Sequence, residues 1–156
     1  MSSMVTRRAS RPLLAAFLAC TVAGSLLLAG ARPALATTTP RGQMLSLTNQ
    51  SRADHHVPRL KLNTRLSKMA TRHSRQMAQQ NTLFHTANIP AELRHWHWSV
   101  WGENVGMTTD TLPTLEDAFM NSPVHRENIL NKRFTHVGIG VAHIKGAYWV
   151  TVTFYG

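Results

Sequence analysis

From Thr64 onward the chain settles into a helical period. Leu66, Met69, Ala70, His73 and Met77 recur so that, at about 100° per residue, all five fall within a stripe of about 100°. Arg65, Lys68, Arg72 and Arg75 cluster on the opposite side. The pattern predicts a helix with one core face and one basic face. Asn63 or Thr64 can start it, since a short polar side chain accepts from the free N–H groups of a first turn. An earlier helix is predicted over Gln43–His55, with Met44, Leu45, Leu47 and Thr48 inward, ending at Val57-Pro58. Ala87–Ser99 shows no period and contains Pro90. Short helices are predicted over Pro113–Met120, where proline suits a first helical turn, and over His125–Leu130. The period then changes to two. Thr135–His143 and Ala147–Phe154 alternate or are β-branched around Lys145-Gly146, which predicts an antiparallel hairpin. A third strand is expected near Trp98–Gly106. Helices come first and strands last, with no βαβ alternation, so the expected class is α+β rather than a doubly wound sheet.

The N-terminus has a different pattern. Met1–Pro12 carries Arg7, Arg8 and Arg11, Leu13–Ala29 is almost wholly apolar, and Ala34-Leu35-Ala36 supplies small residues at cleavage spacing. Residues 1–36 therefore read as a secretory signal, with no membrane span left after cleavage. The alternative is a retained anchor, because the apolar run nearly reaches spanning length. Arg7-Arg8 raises twin-arginine export and Cys20 raises lipid attachment, although the residues around each match those signals poorly. Residues 37–42 read as a short linker, and residues 43–156 as one domain.

Composition narrows the function classes. The 156 residues contain 17 Lys and Arg against 7 Asp and Glu, a formal charge of +10. The length excludes a multidomain enzyme, and the composition excludes a disordered or collagen-like chain. Cys20 is the single cysteine. Behind the signal there is none, which excludes disulfides, thiol catalysis, iron–sulfur clusters and cysteine-rich zinc sites in the domain.

A series of motifs then follows in order: Leu47-Thr48-Asn49-Gln50-Ser51-Arg52; Leu60-Lys61-Leu62 leading into Leu66, Ala70, His73-Ser74 and Met77; Phe84-His85-Thr86; Gly102-Glu103-Asn104-Val105; Ser122-Pro123-Val124-His125-Arg126-Glu127-Asn128-Ile129-Leu130; and Thr135-His136-Val137-Gly138-Ile139-Gly140-Val141. Together they resemble the CAP superfamily, or SCP-like domains, and most closely its short secreted bacterial members. The resemblance covers about Met44 to Tyr155. It implies an α-β-α sandwich with a central antiparallel sheet, and a cleft lined by two histidines and two acids. By position His85 and His125 match the histidines and Glu103 matches the first acid. The second acid position falls at Ser122, a departure from the family pattern.

Two imidazoles and a carboxylate suit a zinc-type divalent cation, with a fourth position left open. His85, Glu103 and His125 are thus candidate metal ligands. The same residues also read as a hydrogen-bonded polar cleft. A nucleophilic reading places Ser122 three residues before His125, with Glu103 orienting the imidazole, as in a serine–histidine–acid triad. No Gly-x-Ser-x-Gly elbow accompanies it. Glu127 should be exposed. His73 reads either as a core histidine or as a ligand. His136 and His143, seven apart in a strand, should lie on opposite faces. In His95-Trp96-His97-Trp98 the histidines should share one side and the tryptophans the other. That segment is either a ligand-contacting loop near Glu103 or tryptophans packed into the core beside Trp101.

No acid lies between Asp54 and Glu92, whereas six Lys and Arg do. The surface of Arg65, Lys68, Arg72 and Arg75 would attract anionic polymers or lipid headgroups, unless it is simply a solvated face. No nucleic-acid recognition motif accompanies it. Three functional readings follow. The first is extracellular binding of a lipid, a cell-wall component or a divalent metal in the His85–Glu103–Ser122–His125 cleft. The second is a metal-assisted or Ser-His-Glu hydrolase in that cleft. The third is an envelope interaction module acting through the basic helix face.

Overall fold

A computed structural model describes residues 39–156. The expected signal over 1–36, with Cys20, and the first two linker residues lie outside the described residues. Helix α1 spans Pro40–Asp54, strand β1 Lys61–Leu62, helix α2 Thr64–Gln80, helix α3 Ile89–Leu93, strand β2 Trp101–Thr108, helix α4 Leu112–Asn121, helix α5 Pro123–Leu130, strand β3 His136–Ile144 and strand β4 Ala147–Tyr155. No helix among the described residues is long and apolar enough to cross a membrane.

Local chemistry sets the helix starts. Helix α1 begins at Pro40, so residues 40–42 are its first turn and not a linker. Thr39 accepts from the Gly42 N–H at 3.2 Å, and Pro40 occupies a position whose N–H would be unpaired anyway. Its fully buried side chains are Met44, Thr48 and Arg52, one turn apart, while Leu45 and Leu47 are only partly buried. Helix α2 is capped by Asn63, which accepts from the Leu66 N–H at 3.0 Å. It buries Leu66, Ala70, His73 and Met77 as its pattern predicts, with Ser67, Ser74 and Ala78 beside them. Arg65, Lys68, Arg72 and Arg75 are exposed. Helix α3 arises in the segment expected to be irregular, where Asn88 caps and Pro90 sits in the first turn.

The sheet order is β1-β3-β4-β2. Strands β2, β4 and β3 are antiparallel, but β1 runs parallel to β3. The sheet is therefore mixed, which corrects the expectation of an antiparallel one. Lys61 N–H donates to Thr135 O and Asn63 N–H to Val137 O, and these bonds make the pairing. Lys145 and Gly146 both have positive φ, 52° and 74°, which suits a two-residue hairpin turn with right-handed strand twist.

Alternation on the strands divides the molecule into layers. Val137, Ile139, Val150, Val152 and Phe154 face α1, α4 and α5, where Met44, Leu115, Phe119, Ile129 and Phe134 complete the main core. The other face turns to α2. There Gly140 lets the helix approach, since a Cβ at Gly140 would lie 2.1 Å from the Ala70 carbonyl carbon. The result is an α-β-α sandwich.

One buried cation ties these layers together. The Arg52 side chain is completely buried. Its guanidinium donates to Pro58 O at 2.7 Å, Ile129 O at 2.7 Å, Asn131 O at 3.0 Å and Phe134 O at 3.0 Å. Burial lowers its pKa, and four carbonyl dipoles replace the lost water. Arg52→Ala should lower the unfolding free energy by about 4 kcal/mol, because several buried carbonyls would lose their donors. Arg52→Lys, which keeps the charge but not the planar fork, should recover only part of it. Urea denaturation of the three proteins measures both effects.

Candidate functional site

Strand β2 lies at the end of the sheet, and the candidate residues gather along it from both layers. Glu103 sits in β2 opposite Thr153 of β4. His85 comes from the segment after α2. His125 comes from α5, which Asn104 and Asn128 fasten to β2. Asn104 Nδ2 donates to His125 O at 3.0 Å, and Asn128 Nδ2 donates to Asn104 Oδ1 at 2.8 Å.

Glu103 is buried, and its carboxylate is fully engaged. Oε1 accepts from His85 Nδ1 at 3.0 Å and from the Thr86 N–H at 2.9 Å. Oε2 accepts from Thr86 Oγ1 at 2.7 Å and from Thr153 Oγ1 at 3.4 Å. Because the carboxylate can only accept, the His85 proton is assigned to Nδ1. Its Nε2 is left to solvent on a side chain that is 62% exposed.

Around His85 the surface is concave on two sides. A cavity of about 410 Å³ is lined by His73, Phe84, His85, Arg72 and Glu92. A second, of about 350 Å³, is lined by His85, Ile89, Trp101, Glu103 and Asn128. Trp101 is 43% exposed at its mouth, so it does not pack into the core. Trp96 and Trp98, by contrast, pack partly buried against Leu66, Ile89, Leu93 and Tyr155. His95 and His97 are exposed. His136 stacks on Tyr155 and His143 on Tyr148, away from Glu103.

His125 packs its ring on Phe119, with centroids 4.9 Å apart. Burial, and then the charge of His85, lower its pKa. His125 lines neither cavity beside His85, and the predicted set of three direct ligands does not assemble. Among the described residues no three His, Cys, Asp or Glu side chains converge as a metal site. The physical reason is that Glu103 is occupied with the His85–Thr86 segment and acts behind His85, not beside it. The serine triad does not assemble either. Ser122 occupies the N-cap position of α5 without a capping bond, and no hydrogen bond joins it to His125 among the described residues. The acid that approaches the site is Glu92 on α3. Its pKa is raised, by burial first and then by Glu103. Glu127 is exposed, as expected.

His73 belongs to this region as well as to the core. Ser74 Oγ donates to Gly140 O at 3.2 Å, so Thr151 Oγ1 donates to Ser74 Oγ at 2.9 Å and accepts from His73 Nδ1 at 3.1 Å. The chain of donors places the His73 proton on Nδ1. Its buried Nε2 then carries a lone pair with no hydrogen-bond partner at the wall of the larger cavity. Thr86, Asn104 and Asn128 entered the sequence reading only as members of motifs and Trp101 as a core neighbour, with no site role; Thr153 was not named. Only the β2–β4 register, which pairs Glu103 with Thr153, could have pointed to one of them.

Comparison with known proteins agrees with the fold. Residues 45–154 match the CAP family, the cysteine-rich secretory protein family. Over 110 residues the chain is 30% identical to YlbC, an uncharacterized membrane protein of Bacillus subtilis (strain 168), covering 67% of this chain and 32% of YlbC. It is 32% identical over 113 residues to the uncharacterized YkwD of the same organism, covering 69% of this chain and 44% of YkwD. The chain thus spans less than half the length of these relatives. A solved extracellular protein containing an SCP domain, from Bacillus anthracis str. Ames, matches with a TM-score of 0.64 at 28% identity, over 74% of this chain and 40% of that one.

Two measurements check the site. In Glu103→Ala the Thr86 N–H loses its acceptor. Hydrogen exchange at Thr86 should then quicken by about tenfold or more, the loss of one bond to a charged acceptor. The second concerns pH. Burial, ahead of opposing and reinforcing charges, holds the His73 pKa below its ordinary value of 6.5. The unfolded chain then binds the proton first, so this group's stabilisation is intact above the unfolded pKa and declines as pH falls from there toward the folded pKa. Its slope is at most about 1.4 kcal/mol per pH unit. Denaturation of wild type and His73→Asn between pH 7.5 and 5.5 should show the gap between them narrowing on acidification. A constant gap would contradict the assignment.

Proposed function

Because the chain belongs to the cysteine-rich secretory protein (CAP) family, we propose that it is an extracellular binding module whose cleft takes a hydroxyl-rich ligand without turning it over. One observation carries the reading. Glu103 holds His85 through Nδ1, and the exposed His85 side chain lines both cavities. The exposed Trp101 ring lies at the mouth of one of them. Hydrogen-bond acceptors beside an aromatic platform favour a ligand that brings O–H donors and a ring face, such as the sugars of a cell-wall glycan. An export signal at residues 1–36 would deliver the protein to that material.

A divalent cation is the second reading, favoured by the exposed His85 imidazole that Glu103 orients. Further ligands would have to come from elsewhere, since no three His, Cys, Asp or Glu side chains converge among the described residues. Hydrolysis has less support, since no serine–histidine bond and no third metal ligand are in place. Calorimetric titration of soluble cell-wall oligosaccharides decides the matter. His85→Ala and Trp101→Ala should each weaken binding about tenfold, the equivalent of about 1.4 kcal/mol. Oligosaccharide binding unchanged in both variants would overturn the proposal. Micromolar zinc binding lost in His125→Ala, with no oligosaccharide binding, would replace it with the metal reading. Ester or peptide hydrolysis lost in His125→Ala would replace it with catalysis.

A further inference from the structure

The basic face of α2 is not a flat solvated surface. Arg65, Lys68 and Arg72 form one wall of a groove of about 250 Å³ whose other wall is Arg94 and His95, contributed by the chain just after α3. The two walls belong to different elements and are brought together only by the fold. Half-buried Met69 lies between them. Arg65 lies over the Trp96 ring, 5.8 Å from its centroid, and Arg94 Nη1 is held on Ala91 O at 2.8 Å. Two of the guanidinium groups are therefore oriented by the protein. Arg65 and Arg94 both act on His95, lowering its pKa, so their fields converge in the groove. None of the four cations is ion-paired, since the only salt bridge among the described residues is His85–Glu103. The carboxylate that feels Arg72 is Glu92, which lines the neighbouring cavity and not this groove.

We propose that this groove is a phosphate-binding site that grips a phosphodiester polyanion outside the cell. Forked guanidinium donors match tetrahedral phosphate oxygens, and cations on facing walls focus the field on an anion between them. A polymer is favoured over a lipid surface on two grounds. The site is a groove and not a plane. In addition, the large exposed apolar residues, Leu62, Leu83, Trp101, Met107 and Val124, are not among those lining it, whereas membrane-surface binding needs apolar side chains beside the cations. The inference does not rest on the ligand of the His85 cleft. It also separates Arg75 from the other three bases of the helix, because Arg75 does not line the groove.

The test is titration of a short poly(glycerol phosphate) into the full mature chain at physiological salt. Arg65→Glu/Arg94→Glu should weaken binding by at least about tenfold. Arg75→Glu/Lys132→Glu, the same charge change on exposed residues outside the groove, should weaken it by less than about threefold. Circular dichroism confirms that each variant is folded. Equal losses in both double variants would reduce the effect to net charge and overturn the proposal. Polyglutamate bound as tightly as the phosphate polymer would overturn the phosphate assignment. Capture by phosphatidylglycerol vesicles with no binding of free polymer would assign the groove to membranes instead, and no binding to any of these would leave it a solvated surface.

Discussion

A guanidinium without a carboxylate partner holds the helical layer to the sheet. Arg52 reaches four carbonyls that belong to the turn before β1, the end of α5 and the segment entering β3. These carbonyls lie in loops or in the last turn of a helix, where no intrahelical or sheet partner follows. One planar group with five donors does what several capping residues would otherwise do. It also fixes where α5 ends, and so where His125 lies. Glu116 has the complementary role in the same layer. It accepts from Thr48 and Ser51, and burial raises its pKa, so α1 joins α4 through a buried acid and joins α5 through a buried base.

The site follows from the place of β2 in the sheet. A strand with a neighbour on one side only can be reached from both helical layers, and that is how the segment after α2, through His85 and Thr86, and α5, through Asn128, both come to hydrogen-bond Glu103. Glu103 makes the arrangement specific. A carboxylate facing α2 on this strand is buried with four donors around it, so it determines the course of the segment leaving α2. The cavities on either side of His85 are a consequence of that course. Binding energy at His85 would not be spent on orienting its ring, which Glu103 already holds.

Elements whose signal is local were legible in the chain. Helix α2 has both a cap and an apolar stripe, and the β3–β4 hairpin has alternation around Lys145-Gly146. Strand β1 carries no such signal. Two exposed residues become a strand only because β3 presents Thr135 O and Val137 O to them. Arg52 was quoted within a motif, but nothing in its neighbours announces that an arginine goes to the interior. His85, Glu103 and His125 were identified through resemblance; the fold joins His85 to Glu103 by a hydrogen bond, while His125 packs on Phe119 and lines neither cavity beside His85. What they do there was not legible. The engagement of Glu103 depends on Thr153, fifty residues away, and the tautomer of the buried His73 depends on hydrogen-bond directions that start at Gly140 O. The groove was half legible: the helix supplied Arg65, Lys68 and Arg72 by periodicity, while Arg94 arrived through the tertiary path after α3.

The position of β2 has one more consequence. An end strand offers unpaired backbone groups to any extended chain that meets it, a standing route to edge-to-edge aggregation. Here Asn128 Nδ2 donates to Glu103 O at 3.3 Å, and α5 packs along the strand. The side chains that shape the cleft therefore also screen the sheet from other molecules. A CAP domain crowded at the outside of a cell would have reason to keep these residues even where no ligand is bound, because loosening them would expose a template for polymerisation.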